Sequence, residues 1–502
     1  MNEVREIERK YDVDGPFEPP AELPGVTAVE GPEHDTLDAV YFDTADLRLL
    51  RGRITLRRRS GGSDAGWHLK LPAGQGERIE VRRPLGSGAA VPKELVELTL
   101  ARSRGAPLAQ VARLRTERSR WRLLDGDTAV AEVVSDAVHA DVSGEQGSEP
   151  SEWNEVEVEL LDGRRELLDE LEPALRDRGA RPASSASKVG RALAGVLATV
   201  GQPAEPDVAA NSAGAAVLAY LREHVEDLLA SDPAVRRDEA DSVHRMRVAA
   251  RRVRNTLQSC RRILDADRTG PVVAELRWLG RVLSGARETH VQRSRLLKEL
   301  GALRPELVVG PVVNRVDSHL LRGHTKAREA LLRKLRGRRY LALLDELQRL
   351  LDDPPLTDEA RQPATKVLPG LAGRAQRRAR RAFDRYRRDP DPDDAVLHEM
   401  RKATKRARYA VEAAAPALGK PARRSIKRLK AVQRLLGDHQ DTVVSRDLTR
   451  RLGLQSHAEG ENAFSYGVLL GRDTANAEHL RGALPALWKR ADRRKTRRWM
   501  SK

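Results

Sequence analysis

The alternation of polar and apolar positions changes its period once along the chain. Over roughly the first 180 residues it has a period of two, in short runs divided by Gly and Pro. This is the pattern of half-buried β-strands. The runs cover residues 6–10, 38–44, 53–59, 67–71, 78–82, 114–124, 129–138 and 155–160. Helical patterns over 167–178 and 186–199 end the region, and the polar, Pro/Ala/Gly-rich residues 201–213 predict a linker. From residue 215 onward apolar residues recur at i, i+3 and i+4 in long helical runs. Helix breaks are expected at 232–233, 270–271, 301–305, 352–355, 389–392 and 416–421, where Pro and Gly fall.

The polar faces of the strands carry charge, mostly of one sign per strand. Arg57 and Arg59 share a face, as do Arg118, Arg120 and Arg122; so do Glu155, Glu157 and Glu159. If the strands close into a barrel, these faces line its interior and helices cover the apolar outside. An open sheet with a wet, charged face fits the same alternation. The first run places Glu6, Glu8 and Lys10 on one face. Two hard oxygen ligands beside an ammonium suit a hydrated divalent metal next to a phosphate chain; a solvated edge strand is the plainer alternative.

Composition narrows the partners. The chain has 502 residues, 33% of them charged, with a net charge of +17, which points to polyanions: nucleic acid, anionic membrane or polyphosphate. Aromatics are 3%, against the stacking platforms that single-stranded nucleic acid needs, so nucleic acid is not expected as a specific partner. With Cys260 as the sole cysteine there is neither an intramolecular disulfide nor a cysteine-based zinc site. No apolar run is long enough to span a bilayer, and the charged N-terminal residues lack an apolar signal core. A cytoplasmic protein is expected, with association to polyphosphate granules as one setting.

Six separated elements together carry a family resemblance: Glu6-x-Glu8-x-Lys10, the YFDT segment at 41–44, Arg57-x-Arg59, the W-x-L-K segment ending at Lys70, the EVEVE strand at 155–159 and Ser187-Lys188. In this order they resemble the CYTH domain, the triphosphate tunnel metalloenzymes, over about residues 1–200. The resemblance implies an eight-stranded antiparallel tunnel with flanking helices that binds triphosphate-containing small molecules with Mg2+ or Mn2+. By the same resemblance Glu6, Glu8, Glu157 and Glu159 are metal-binding carboxylates, with Asp136 and Glu132 as weaker members. Lys10, Arg57, Arg59, Lys70 and Lys188 are implied to hold phosphate, together with Arg118 or Arg120, between which the motif does not choose. Lys10 and the four glutamates form the implied catalytic set. His68 lies near this face and reads as a structural histidine. No phosphate-binding P-loop motif is present.

The helical half contains an internal repeat. Residues 243–257 match 397–411, with His244/His398, Met246/Met400, Arg247/Arg401, Ala249/Ala403, Arg252/Arg406 and Arg254/Arg408 identical and Arg251 answered by Lys405. Residues 276–291 likewise match 429–444. Two similar halves predict pseudo-two-fold packing. On their helices His244, Arg247, Arg251 and Arg254 form one stripe, and His398, Arg401, Lys405 and Arg408 the other. Like charges so spaced repel unless solvent or an anion answers them, so inward stripes would make a positive groove and outward ones two solvated faces. The repeated H-x-M-R-x4-R-x-R signature resembles the CHAD domain over about residues 214–502. That resemblance implies two pseudo-symmetric four-helix bundles with a basic channel for inorganic polyphosphate, lined by these ten basic residues. The basic segment 490–502 reads as a frayed, soluble terminus.

The expected fold class is therefore multidomain α+β. The expected function is metal-dependent hydrolysis of inorganic triphosphate, short polyphosphate or organic triphosphates in the tunnel, a triphosphatase activity, with the helical domain binding polyphosphate. The alternative is a polyphosphate-binding or targeting protein without catalysis. Adenylate cyclisation, another activity of CYTH proteins, has no adenine pocket to support it in this sequence.

Overall fold

A computed structural model describes residues 2–74, 76–86, 88–143, 150–200 and 208–501. The chain divides into two compact units, Met1–Pro203 and Ala204–Lys502. Residues 201–207 of the expected linker lie outside the described residues.

In the first unit the period-two pattern becomes eight strands: β1 (Asn2–Val13), β2 (Ala28–Asp43), β3 (Thr55–Ser60), β4 (Gly66–Gly74), β5 (Glu77–Arg83), β6 (Ala109–Asp125), β7 (Thr128–Val142) and β8 (Ser151–Leu160). Their order is β5-β4-β3-β2-β6-β7-β8-β1, every pair antiparallel, and β1 pairs back onto β5 to close the barrel. Closure removes the free sheet edges that an open arrangement of these strands would expose. Several strands run longer than the alternation predicts: β2 begins ten residues before the expected 38–44 run. The β6–β7 hairpin turns through Gly126, at φ 60°, and Asp127, with Asp125 opposite Thr128.

Closure turns the charged faces inward and the apolar faces out, where helices cover them. Leu167, Leu168, Leu171 and Leu175 of the helix Leu167–Asp177 recur at helical spacing and pack on Val130, Val133, Val156 and Val158. A helix the alternation did not reveal, Lys93–Ser103, buries Leu95 and Leu98 against Leu56, Trp67, Leu69 and Val81. Fully burying each such leucine is worth roughly 1.5–3 kcal/mol. The helix Lys188–Ala192 starts at Ser187, whose Oγ accepts from Gly190 N at 3.1 Å.

The second unit is all helix. Ala213–Arg236, Ser242–Ser259, Ala266–Gly301 and Val312–Leu335 form one repeat, and Ala364–Arg388, Asp394–Leu418, Lys420–Ala458 and Phe464–Ala491 the other, with Arg338–Asp352 between them in sequence. Within each repeat consecutive helices pack against one another. The starts of the two first helices are tied by backbone hydrogen bonds, Ala213 N to Gln362 O at 2.8 Å and Ala364 N to Asn211 O at 2.9 Å. Two expected breaks are absent. Pro233 lies inside Ala213–Arg236 and Pro271 inside Ala266–Gly301. Pro233 falls in the last turn and Pro271 close to the start, and the surrounding packing carries the helix through both. The segment after residue 490 is also not frayed. Thr496 and Met500 are buried, and Trp499 Nε1 donates to Ser425 Oγ at 3.1 Å. Among the described residues no helix is long and apolar enough to cross a membrane.

Candidate functional site

The inward faces of the barrel meet in one lumen. It is lined by Glu6, Glu8 and Lys10 of β1, Tyr41 of β2, Thr55, Arg57 and Arg59 of β3, Lys70 of β4, Arg78, Glu80 and Arg82 of β5, Arg118 of β6, and Glu157 and Glu159 of β8. Asp64, Ser187 and Lys188 complete the lining from outside the strands. Of the residues expected here, Arg120, Asp136 and Glu132 are not in the lining. Arg120 turns to Glu33 at 2.7 Å and Asp35 at 3.5 Å, so Arg118 is the arginine of β6 that the structure brings to the lumen. Asp136 is fully buried on the same inward face, directly opposite Arg118 and Glu155 on the neighbouring strands and held by Arg118 through two bonds of 2.8 and 2.7 Å.

The lining divides by charge. At one place ammonium groups answer the carboxylates. Lys188 Nζ lies 2.8 Å from Asp136, 2.7 Å from Glu155 and 2.6 Å from Glu157, and Lys10 also bonds Glu157. Burial alone would raise the Glu157 and Asp136 carboxyls. Against it, Lys10, Lys188 and Arg118 hold Glu157 well below the usual carboxylate range, and Lys188 with Arg118 lowers Asp136. Burial would lower Lys188, yet Asp136, Glu155 and Glu157 raise it well above an ordinary lysine.

The neighbouring place is different. Glu8 stands opposite Glu159 across β1 and β8, and Glu159 opposite Glu132 across β8 and β7. Like charges so opposed are destabilising in a sheet. Among the described residues no cation lies within ion-pair distance of Glu159. Burial and the nearby Glu6 and Glu8 push its carboxyl up to about 7. Burial also raises Glu6, although Lys70 Nζ is 2.6 Å away. Glu8 is buried too, but Lys10, Lys70 and Arg78 hold it low. Glu6 is answered by Lys70 and Arg82 and Glu8 by Lys10 and Arg78, so Glu159 is the hard oxygen donor left for a divalent cation beside them, whereas the Asp136–Glu155–Glu157 group already holds an ammonium. Glu6, Glu8 and Glu159 are thus the carboxylates that would hold a metal. Asp136 and Glu157 serve the lysines.

The third part of the lining is a cluster of guanidinium groups. Arg57 donates to Tyr41 Oη at 3.4 Å, and Arg59 is 3% exposed. Burial, with Arg57 and Arg118 nearby, brings Arg59 down to about 9. His68 is tied on both sides, Nδ1 to Glu80 at 2.9 Å and Nε2 to the Asp64 carbonyl at 2.8 Å. Burial lowers it to about 4 against the pull of Glu80. Glu80, Tyr41, Arg78, Arg82 and Asp64 were not among the expected site residues. For Glu80, Arg78 and Arg82 the signal was present, since they share the inward face of β5, and Tyr41 opens the YFDT segment; nothing in the sequence around Asp64 gave one.

In the second unit the two basic stripes face each other. Lys405 lies among Arg401, Arg251, Arg247 and Arg408, and burial with these cations brings it down to about 6. Arg247 and Arg401 are lowered by burial and by Arg251. Burial, Arg251, Arg277 and Arg406 lower Arg254. Arg251 Nε donates to Tyr409 Oη at 2.9 Å. Other expected members are engaged in internal contacts: Arg408 and Arg252 lie 3.0 and 3.6 Å from Glu412, and His398 bonds Gln440. His244 and Arg406, on the same helices, are partly buried and exposed respectively.

Two family models match this chain, one described as the CYTH domain over residues 4–192 and one as the CHAD domain over 219–450. The chain is a CYTH–CHAD protein. It is 39% identical to Rv2226 of Mycobacterium tuberculosis strain H37Rv over 512 residues, covering 97% of this chain and 96% of that one. Among solved structures it is similar to PptA from Streptomyces chartreusis, at 24% identity and TM-score 0.48, covering 55% of this chain and 99% of that one. The CHAD domain from the plant Ricinus communis is 25% identical at TM-score 0.44, over 57% of this chain and 95% of that one. The CYTH fold binds triphosphate substrates, and its tunnel metalloenzymes use divalent metals.

Proposed function

We propose that the CYTH tunnel hydrolyses a phosphoanhydride bond of inorganic triphosphate, short polyphosphate or an organic triphosphate with Mg2+ or Mn2+, and that the CHAD unit binds inorganic polyphosphate. The observation that carries this reading is the division of one lumen into a carboxylate place, where Glu159 has no cation in ion-pair range among the described residues, and a guanidinium cluster. Phosphoryl transfer asks a protein mainly to position the chain and neutralise its charge. Arg57, Arg59 and Arg118 would grip phosphate oxygens, as guanidinium forks do bidentately. Lys10 and Lys70, each now paired with a carboxylate, would turn to the phosphate between. Glu6, Glu8 and Glu159 would hold the metal, which when bound supplies charge neutralisation and an acidified water. Lys188 keeps Glu157 and Asp136 charged and in place, so Arg118 keeps its aim.

Incubation with tripolyphosphate, ATP, thiamine triphosphate and long-chain polyphosphate, with Mg2+ or Mn2+, tests this reading by phosphate release. The double substitution Glu6→Gln/Glu8→Gln is expected to abolish release while the protein stays folded. Release that survives it would overturn the metal assignment. Retention of long polyphosphate with no release from any substrate would favour a binding protein. Competition between polyphosphate and DNA at matched phosphate concentration checks the partner, with polyphosphate expected to win.

A further inference from the structure

β3 and β4 are joined by a turn longer than a tight hairpin needs. Arg59 pairs with Gly66 across the two strands, which leaves residues 60–65 to make the turn. Its base is fixed. Gly61 and Gly62 have φ of 82° and 68°, and a Cβ on Gly61 would lie 2.1 Å from Thr36 O. Its far end folds back over the lumen. There the Asp64 carboxylate, one-third exposed, pairs with the Arg59 guanidinium, which is almost wholly buried. The other tie holding this end is the bond from His68 to the Asp64 carbonyl.

Arg59 shares its wall with Arg57 and Arg118, and the anionic groups near it on the packed elements are Glu80 and the Tyr41 hydroxyl. Glu80 is bonded to His68 and Arg82 and lies 3.9 Å from Arg57. Among the described residues Asp64 is therefore the carboxylate that pairs with Arg59. It approaches from the solvent side of a buried cation, as an incoming anion would.

We propose that Asp64 is a specificity-determining residue of the tunnel: a resident anion on Arg59 that a substrate phosphate must displace. This rests on the triphosphate reading of the same lumen. Arg59 accepts a phosphoryl oxygen only when the 60–65 turn releases it, so apparent affinity is reduced by the fraction of molecules with the pair closed. Anions that cannot offset the lost Asp64–Arg59 pair are rejected. A polyanion that also engages Arg57 and Arg118 is admitted.

The test is calorimetric titration of the full chain with inorganic tripolyphosphate in EDTA, and again with Mg2+, comparing the natural protein with Asp64→Asn. Tighter binding by Asp64→Asn is expected, roughly tenfold if the closed pair holds nine-tenths of the population. Equal or weaker binding would make Asp64 a positioning group for Arg59 and overturn the proposal. Hydrogen exchange on the natural protein needs no variant. Tripolyphosphate is expected to lower protection at Gly62–Ala65 while raising it in β3 and β4; a turn that becomes more protected also overturns the proposal. A natural protein that binds no tripolyphosphate in either condition overturns the triphosphate reading and this inference with it. A natural protein that binds, beside an Asp64→Asn variant that gains nothing, overturns this inference alone.

Discussion

Lys188, buried, and Lys405, half-buried, behave in opposite ways because of what surrounds them. Lys188 meets three carboxylates, so its charge is stabilised. Replacing it with Met leaves Asp136, Glu155 and Glu157 crowded without their ammonium. Removing one partner of a buried ionic group costs about 3–5 kcal/mol, and Lys188→Met is expected to lower the denaturation midpoint of the first unit accordingly in urea titration. Lys405 meets other cations, so its folded-state value, about 6, lies below the ordinary 10.4 of an unfolded lysine. Between those values the unfolded chain binds the extra proton, so stability rises with pH. The penalty from Lys405 is complete below pH 6 and has vanished above 10.4. Lys405→Met is therefore expected to raise the melting temperature more at pH 6 than at pH 9. With long polyphosphate present the anion answers the charge, and the natural protein is expected to gain more from it than the variant. Equal gains in melting scans would count against an anion at Lys405. The charges themselves were legible in the sequence. Their environments were not, because Lys188 and Asp136 are brought together only when β7 and the helix Lys188–Ala192 pack.

At the scale of elements the period-two alternation carried most of the barrel. A face with Glu6, Glu8 and Lys10 opposite one with Ile7 and Tyr11 can satisfy both sets only with a wet, charged interior and an apolar, covered exterior. The helix Lys93–Ser103 escaped notice because Leu95, Val96, Leu98 and Leu100 fit neither period cleanly. Its helical state is fixed by the greasy outer face of β3–β5 that it covers. The 60–65 turn offers an element-scale prediction. Gly61 occupies a left-handed conformation with backbone at its open side. Gly61→Ala is expected to destabilise the first unit by more than about 1 kcal/mol, seen as an earlier urea transition, whereas Gly76→Ala, with nothing within 4 Å, is expected to cost less. The C-terminal segment corrects the opposite way. A basic stretch reads as solvated, yet Thr496, Trp499 and Met500 give it enough apolar and hydrogen-bonding surface to seat against the helices Ala364–Arg388 and Lys420–Ala458.

For the whole molecule, the two units have separate cores and different chemistry. A polypeptide ending at residue 200 is expected to keep metal-dependent release from tripolyphosphate and to lose retention on long polyphosphate. A polypeptide starting at residue 208 is expected to do the reverse. Phosphate release and retention on immobilised polyphosphate measure the two outcomes. Loss of both in both fragments would show that neither unit acts by itself. The net charge of +17 is carried by the second unit: Lys and Arg outnumber Asp and Glu there, whereas in the first unit Asp and Glu outnumber Lys and Arg. In the lumen charges of both signs are paired, while around Lys405 cations gather, so the two units present different settings for an anion.

The sequence by itself determined the two-part organisation, the alternating strands with their charged faces, the repeated helical half and most of the ionic residues that line both sites. These are local properties, set by period, turn residues and repetition. Tertiary structure decided which charges meet. Barrel closure put Arg118 in the lumen lining, while Arg120 on the same face of β6 pairs with Glu33 and Asp35. It gave Glu157 to Lys10 and Lys188, and left Glu159 between Glu8 and Glu132. The physical reason is that electrostatic energy depends on distance and burial between residues far apart in sequence, and no local pattern encodes either.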